Sequence, residues 1–263
     1  MLKAFGKIPV GMYQQGFFLL ERCVYLRILS LSSLQMCTVL TIDTSSAKCS
    51  VSLKLDGKLT ERSSETQRQS AQRVLPMIQE LLSEAGIRLS DIELIAVVAG
   101  PGSFTGVRIG IAVAQGLSLT AKLPVVALSS LALQAMLTLS DKQCPKVLVC
   151  EEAREGEVYF AAFQQSDVVG VELIGREQVA LIPKLDPLPR ELISGNWHLA
   201  GNGWARRTEI LQQLESEAVA ESYNAPLRNE LIVELGVLRY KCGEAVAAAQ
   251  LRPNYVKDDL VYT

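Results

Sequence analysis

Across residues 92–122 the chain changes from a strand pattern to a helix pattern over a loop with three glycines, Gly100, Gly102 and Gly106, in A-G-P-G-S-F-T-G-V-R-I-G at 99–110. Upstream, I-E-L-I-A-V-V-A at 92–99 is an almost unbroken apolar run, the pattern of a parallel strand covered on both faces. Downstream, residues 107–122 read as a helix, with Ser103 or Thr105 placed to cap its first turn. A buried parallel strand feeding a helix commits the chain to an α/β architecture. The loop itself admits two readings. N–H groups bared at the helix start can receive an anion, or the glycines serve a tight turn and close packing. A Walker loop would need lysine where Val107 stands. A dinucleotide fingerprint would need G-x-G-x-x-G, whereas the spacing from Gly100 is G-x-G-x-x-x-G.

The rest of the chain extends the α/β layout. Residues 38–42, 49–55 and 58–63 read as successive strands, the last two joined by the turn Asp56-Gly57. A helix is predicted over 70–85, where Val74, Met77, Ile78, Leu81, Leu82 and Ala85 recur at three- and four-residue intervals and Gly86 marks the stop. A strand at 125–128 and a helix over 130–140 complete a first subdomain, 36–140. A second subdomain, 141–263, holds strands at 146–150, 158–164 and 168–174, a proline-rich loop at 183–189 and helical patterns at 204–214 and 227–241. Its final helix and tail are expected to pack back on the first. Residues 1–35 differ: Lys3, Lys7, Arg22 and Arg27 stand against one acid, Glu21, and charge interrupts their apolar runs before any reaches the roughly 18 residues of a membrane span. The expectation is an upstream extension, with Met36 opening the folded protein and a targeting peptide as the alternative.

Composition narrows function. A chain of 263 residues, 49% hydrophobic, can bury a large core. Its net charge of −2, with no basic stripe, means that any work on RNA requires a partner to supply the positive field. The only histidine, His198, lies in G-N-W-H-L-A-G at 195–201 and reads as a loop or strand residue; paired imidazole metal sites are excluded. The six cysteines are scattered without a C-x-x-C, the pattern of reduced thiols.

Four motifs in order carry a family resemblance: V-L-T-I-D-T-S-S at 39–46, Q-R-V-L-P-M at 72–77, G-P-G-S-F-T-G-V-R-I-G at 100–110, and A-R-E-G-E-V-Y at 153–159. Together they resemble the bacterial TsaB family, also called YeaZ, over essentially everything after Met36. The most specific of them is the loop Gly100, Pro101, Gly102, Ser103, Phe104 and Thr105. The resemblance implies an actin-like, RNase H-like (ASKHA) fold of two subdomains, mixed sheets flanked by helices. It also implies a cytoplasmic, non-catalytic subunit without cofactor or metal. In that family the subunit pairs with its paralogue TsaD, alongside the ATPase TsaE, to place threonylcarbamoyl on the adenosine beside the anticodon of tRNAs that read ANN codons. The tRNA is met only through the complex, and no membrane is involved. A homodimer is the alternative state of the isolated chain. The sequence departs from the family pattern at Ser70, Glu152 and Lys257, where histidine, aspartate and arginine are usual.

Residue roles follow from the same resemblance. Kinases of this fold hold phosphates with glycine-bearing hairpins, and D-T-S-S-A at 43–47 has no glycine. Asp43 stands where the fold usually keeps an acid for Mg²⁺; the alternative is a carboxylate that orders its own turn. Arg154 and Glu157, in the matching hairpin of the second subdomain, are expected to pair across the cleft rather than act on substrate; the alternative is that they are surface salt-bridge residues. The family contact uses helices 70–85 and 107–122, which assigns Arg73, Val74, Met77, Ile78 and Leu81 with Arg108, Ile109, Ala112 and Val113 to the partner surface. Gly106 and Gly110, in step with Ala114, are expected to let another helix come close. The competing reading is that half of these residues face the sheet. An actin-fold small-molecule kinase and a peptidase are the alternative functions.

Overall fold

The computed structural model describes residues 37–46, 48–64, 70–141, 145–187, 197–215, 222–223 and 227–256. The expected extension 1–35, and Met36 as its boundary, lie outside the described residues. A first sheet contains β1 (Val39–Asp43), β2 (Cys49–Leu55), β3 (Lys58–Ser64), β4 (Leu94–Gly100) and β5 (Val125–Ser129) in the order β3-β2-β1-β4-β5. The pairs β1/β2 and β2/β3 are antiparallel, while β1/β4 and β4/β5 are parallel. A second sheet contains β6 (Lys146–Glu152), β7 (Glu157–Ser166), β8 (Gly170–Leu181), β9 (His198–Ala200) and β10 (Ser222–Tyr223) in the order β10-β9-β6-β7-β8. Here β6/β7 and β7/β8 are antiparallel, and β6/β9 and β9/β10 parallel. Read from opposite edges, the two sheets share one diagram. That duplication is the actin-like, RNase H-like arrangement of two subdomains.

Hydrophobic patterning explains the layers. Every residue of β4 is buried because helices cover both faces of its sheet. On one face lie α1 (Ser70–Ala85) and α2 (Phe104–Ala121), whose Val74, Met77, Ile111 and Ala114 close over Leu40, Ile42, Ile95 and Val97. On the other lie α3 (Ser130–Asp141) and α5 (Asn229–Lys241). Leu131, Leu133 and Leu137 of α3 are buried between the two sheets, in one core with Val98 and Leu128 of the first and Val147 and Phe163 of the second. Trp204 and a short helix, α4 (Arg207–Gln213), cover the outer face of the second sheet.

The C-terminal segment returns to the first subdomain. α5 packs on β1, β4 and β5, and Val246 N–H bonds the Val125 carbonyl at 2.8 Å. The Gln115 side chain donates to the carbonyls of Ala248 and Leu251, both at 3.1 Å. Several elements differ from the sequence reading, β9 and β10 among them, which it did not contain. α2 starts at Phe104 instead of 107, because the Ser103 hydroxyl accepts the Gly106 N–H at 3.2 Å and so caps the helix earlier. β8 continues to Leu181 instead of ending at 174, passing through a bulge in which residues 175–177 oppose Ala161 alone. The helix expected over 204–214 is a 3₁₀ turn, Asn202–Arg206, followed by α4.

Candidate functional site

The glycine loop is built around the exit of β1. Ser103 N–H donates to the Ser45 carbonyl at 2.7 Å, and the Thr44 hydroxyl donates to the Gly106 carbonyl at 2.7 Å. A Cβ on Gly102 would stand 2.5 Å from Ser45 O, on Gly106 1.9 Å from Thr44 O, and on Gly110 2.5 Å from Thr44 Oγ1. These three glycines therefore serve close packing inside one subdomain. Gly106 and Gly110 are buried, which corrects their placement on the partner surface. At the helix start Ser103 takes the N–H groups of Gly106 and Val107 on its hydroxyl and carbonyl. Asp43 is buried, and its Oδ1 accepts the Ser45 N–H at 2.9 Å and the Ser45 hydroxyl at 2.7 Å. It thus orders its own turn. Burial pushes its carboxyl above the ordinary range, and the two Ser45 bonds pull against that rise.

A cavity of about 270 Å³ lies between the subdomains. One wall is the glycine loop with Phe104 and Val107, the other Arg154, Glu157 and Tyr159, and tail residues 253–256 complete it. The structure brings Arg154 and Glu157 to this cleft and leaves Asp43 off its lining. They sit at the tip of the β6–β7 hairpin, where Glu155 (φ 58°) and Gly156 (φ 79°) both take the left-handed conformation of a tight hairpin turn.

Three residues that sequence reasoning missed, Glu177, Ser129 and Asn254, tie the cleft together. The β8 bulge, marked by Gly175 at φ 77°, turns the half-buried Glu177 toward the first subdomain. There its carboxylate accepts the Ser129 hydroxyl and the Asn254 side-chain amide at 2.6 Å. Ser129 in turn caps α3, accepting the N–H groups of Leu131 at 3.1 Å and Ala132 at 3.2 Å. Asn254 N–H bonds the Ala99 carbonyl at 2.8 Å, just before the glycine loop. Burial raises the Glu177 carboxyl, and its two hydrogen bonds oppose the rise. The signal in the sequence was an isolated glycine inside a strand pattern, which marks a bulge but not its target.

The partner surface expected from sequence divides. Val74, Met77, Ile78 and Leu81 are 0–3% exposed and form the core against the sheet, a correction to their assignment, because the apolar stripe of α1 is consumed by β2 and its neighbours. Arg73 is exposed, 4.0 Å from Glu80. On α2, Arg108 and Ala112 are exposed while Ile109 and Val113 are half-buried at the edge of the core. Beyond them Leu75 is 51% and Leu119 69% exposed, and a Cβ on the exposed Gly116 would meet nothing within 4 Å among the described residues. α2 has a mean hydropathy of 1.2, yet only 33% of it is buried. It is long and apolar enough to cross a membrane, but its Val107, Ile111 and Ala114 pack in the core of the sheet. His198 lies in β9, half-buried and paired with Val147.

Comparison with known proteins places this architecture. Residues 62–259 match the family model TsaD: tRNA N6-adenosine threonylcarbamoyltransferase. The tRNA threonylcarbamoyladenosine biosynthesis protein TsaB of Escherichia coli is 34% identical over 85% of this chain and 96% of its own length. The protein of the same name from Haemophilus influenzae is 30% identical over 87% and 97%. Among solved structures, YeaZ from Pseudomonas aeruginosa superposes with a TM-score of 0.70 at 35% identity, covering 84% of this chain and 100% of that one. Matched over most of its length in sequence and in fold, the chain belongs to the TsaD-like threonylcarbamoyltransferase family and, within it, to the TsaB (YeaZ) branch.

Proposed function

We propose that this protein is the non-catalytic docking subunit of the machinery that places threonylcarbamoyl on the adenosine beside the anticodon of ANN-decoding tRNAs. It acts in the cytoplasm by binding and activating a TsaD paralogue, with the ATPase TsaE joining the larger complex and tRNA engaged through the assembly. The observation that carries this reading is the outer side of α2: an apolar helix buried over only 33% of its length. Among the described residues nothing packs against the exposed Gly116, and Leu119 stands 69% exposed beyond it. An apolar helix face left open, with a further exposed apolar residue, Leu75, on the neighbouring α1, fits a helix-on-helix contact. The composition supports the non-catalytic part, because a chain with one histidine has no pair of imidazoles to hold a catalytic metal. The weak negative charge agrees with indirect contact to RNA.

Co-purification with the TsaD paralogue, followed by reconstitution of tRNA modification with and without this chain, tests the proposal. A stable complex and modification that requires the chain are expected. Leu119→Glu should abolish both while moving chain stability by no more than about 0.5 kcal/mol, as surface substitutions do. Modification at an undiminished rate without the chain would refute the assignment.

A further inference from the structure

The chain after α5 runs beside α2 and meets it at two points. Midway along the helix, the Gln115 side chain holds the carbonyls of Ala248 and Leu251. At the first turn, Arg108 Nε donates to the Tyr255 hydroxyl at 3.0 Å. The Arg108 guanidinium carbon lies 3.6 Å from the centre of the Phe104 ring and 5.7 Å from that of Tyr255. The two points are fastened differently. Leu251 is buried in the core of the first subdomain and follows a short 3₁₀ turn, Ala248–Gln250, that closes on itself. Phe104 and Tyr255 are 42% and 46% exposed, so burial does little to order their rings, and the rotamer entropy lost there has to be offset otherwise. The half-buried Asn254 offsets it. Its N–H bonds the Ala99 carbonyl at 2.8 Å, at the entry to the glycine loop. Its side-chain amide donates to the Glu177 carboxylate at 2.6 Å, a charge-assisted bond. Glu177 also takes the hydroxyl of Ser129, the residue that caps α3. One tail residue therefore spans both subdomains, and the next rests on the first turn of α2.

We infer that Asn254 is a positioning residue of the docking face: by clamping the tail to both subdomains it holds Tyr255, and through Tyr255 the Arg108 and Phe104 side chains, in the arrangement that the TsaD paralogue meets. This rests on the docking function proposed above. Linkage follows from it. A partner that prefers the braced first turn of α2 must also tighten the clamp, because coupled equilibria act in both directions. Closure of the second subdomain on the first and docking on α2 are thereby joined through one side-chain amide.

Calorimetric titration of the TsaD paralogue into the full chain tests the inference. The variants are Asn254→Ala, Tyr255→Ala, the double variant, Leu119→Glu as control for the face, and Ile210→Val as control for lost stability. Ile210 is buried in the outer core of the second subdomain, a core that contains no tail residue. Asn254→Ala should weaken binding by about three- to thirtyfold in the wild-type background. In the Tyr255→Ala background it should change nothing. Ile210→Val should bind as wild type does. Hydrogen exchange of the unmutated chain gives a second readout: the Asn254 amide should exchange more slowly in the complex than in the free chain. Wild-type affinity in Asn254→Ala, with Leu119→Glu still disruptive, would overturn the inference and leave the docking function standing. So would an equal loss in Ile210→Val, which would assign the effect to stability, or exchange at Asn254 that the partner does not change. Equal losses from Asn254→Ala in both backgrounds would overturn the route through Tyr255. Unimpaired binding by Leu119→Glu would remove the docking face and the inference with it.

Discussion

At the scale of single residues, two glycines of α2 have opposite environments. A methyl group on Gly106 would stand 1.9 Å from the Thr44 carbonyl oxygen, whereas one on Gly116 would touch nothing within 4 Å among the described residues. Gly106→Ala should therefore destabilise the chain by at least about 1–3 kcal/mol, because backbone must move to admit it. Gly116→Ala should stabilise the free chain by roughly 0.5–1 kcal/mol, the ordinary gain from replacing an interior helix glycine. If a second helix approaches there, the same change weakens binding of the TsaD paralogue. Urea unfolding of the free variants measures the first two, and opposite signs are the expected result. This split was only partly legible in the sequence. The spacing of Gly106, Gly110 and Ala114 reveals a small-residue ridge on one side of the helix. It does not say that the covering surface is Thr44 of the same subdomain.

At the scale of elements, periodicity located the helices and left their covering undetermined. The stripe Val74, Met77, Ile78 and Leu81 was visible at once in α1, but an apolar stripe looks the same whether a sheet or another protein lies against it. Here the sheet does. α2 was harder, because it is apolar on nearly every side and its outward residues resemble core. Its start was misplaced for a local reason. Phe104, Thr105 and Gly106 are poor helix formers, and the turn forms there because Ser103 supplies its hydroxyl to the Gly106 N–H. Ser103→Ala should accordingly cost about 1 kcal/mol in thermal or urea unfolding. Ser103→Asp, which keeps an acceptor and adds charge at a helix N-terminus, should hold wild-type stability or exceed it. Equal stability of Ser103→Ala and wild type would show that Ser45 and Thr44 alone define the start of the helix.

At the scale of the molecule, the two subdomains share the core around α3, and a polar tie reinforces it at the cleft, where Glu177 of the second sheet meets Ser129 of the first and Asn254 of the tail. The duplicated sheet order was legible only as an alternation of strands and helices, since no sequence repeat announces it. The tie was not legible at all, because it joins residues far apart in the chain through a bulge. Its protonation has a definite consequence. Burial raises the folded carboxyl of Glu177 above the ordinary 4.5, so between those two values the folded chain binds more protons than the unfolded one. The stability it contributes is then fully present below pH 4.5 and is lost as pH rises through the folded value. Glu177→Gln keeps one acceptor oxygen, replaces the other with an amide N–H₂ donor at a cost that does not vary with pH, and removes the titration. Relative to that variant, wild type should gain stability when pH falls from neutral to about 5, read as urea midpoints of both proteins at each pH. Taking the difference cancels Asp43 and Glu151, whose carboxyls burial also raises and which both proteins retain. A difference that stays constant with pH would mean that Glu177 is solvated like a surface carboxylate, and that the contact between β8 and the tail does not exclude water.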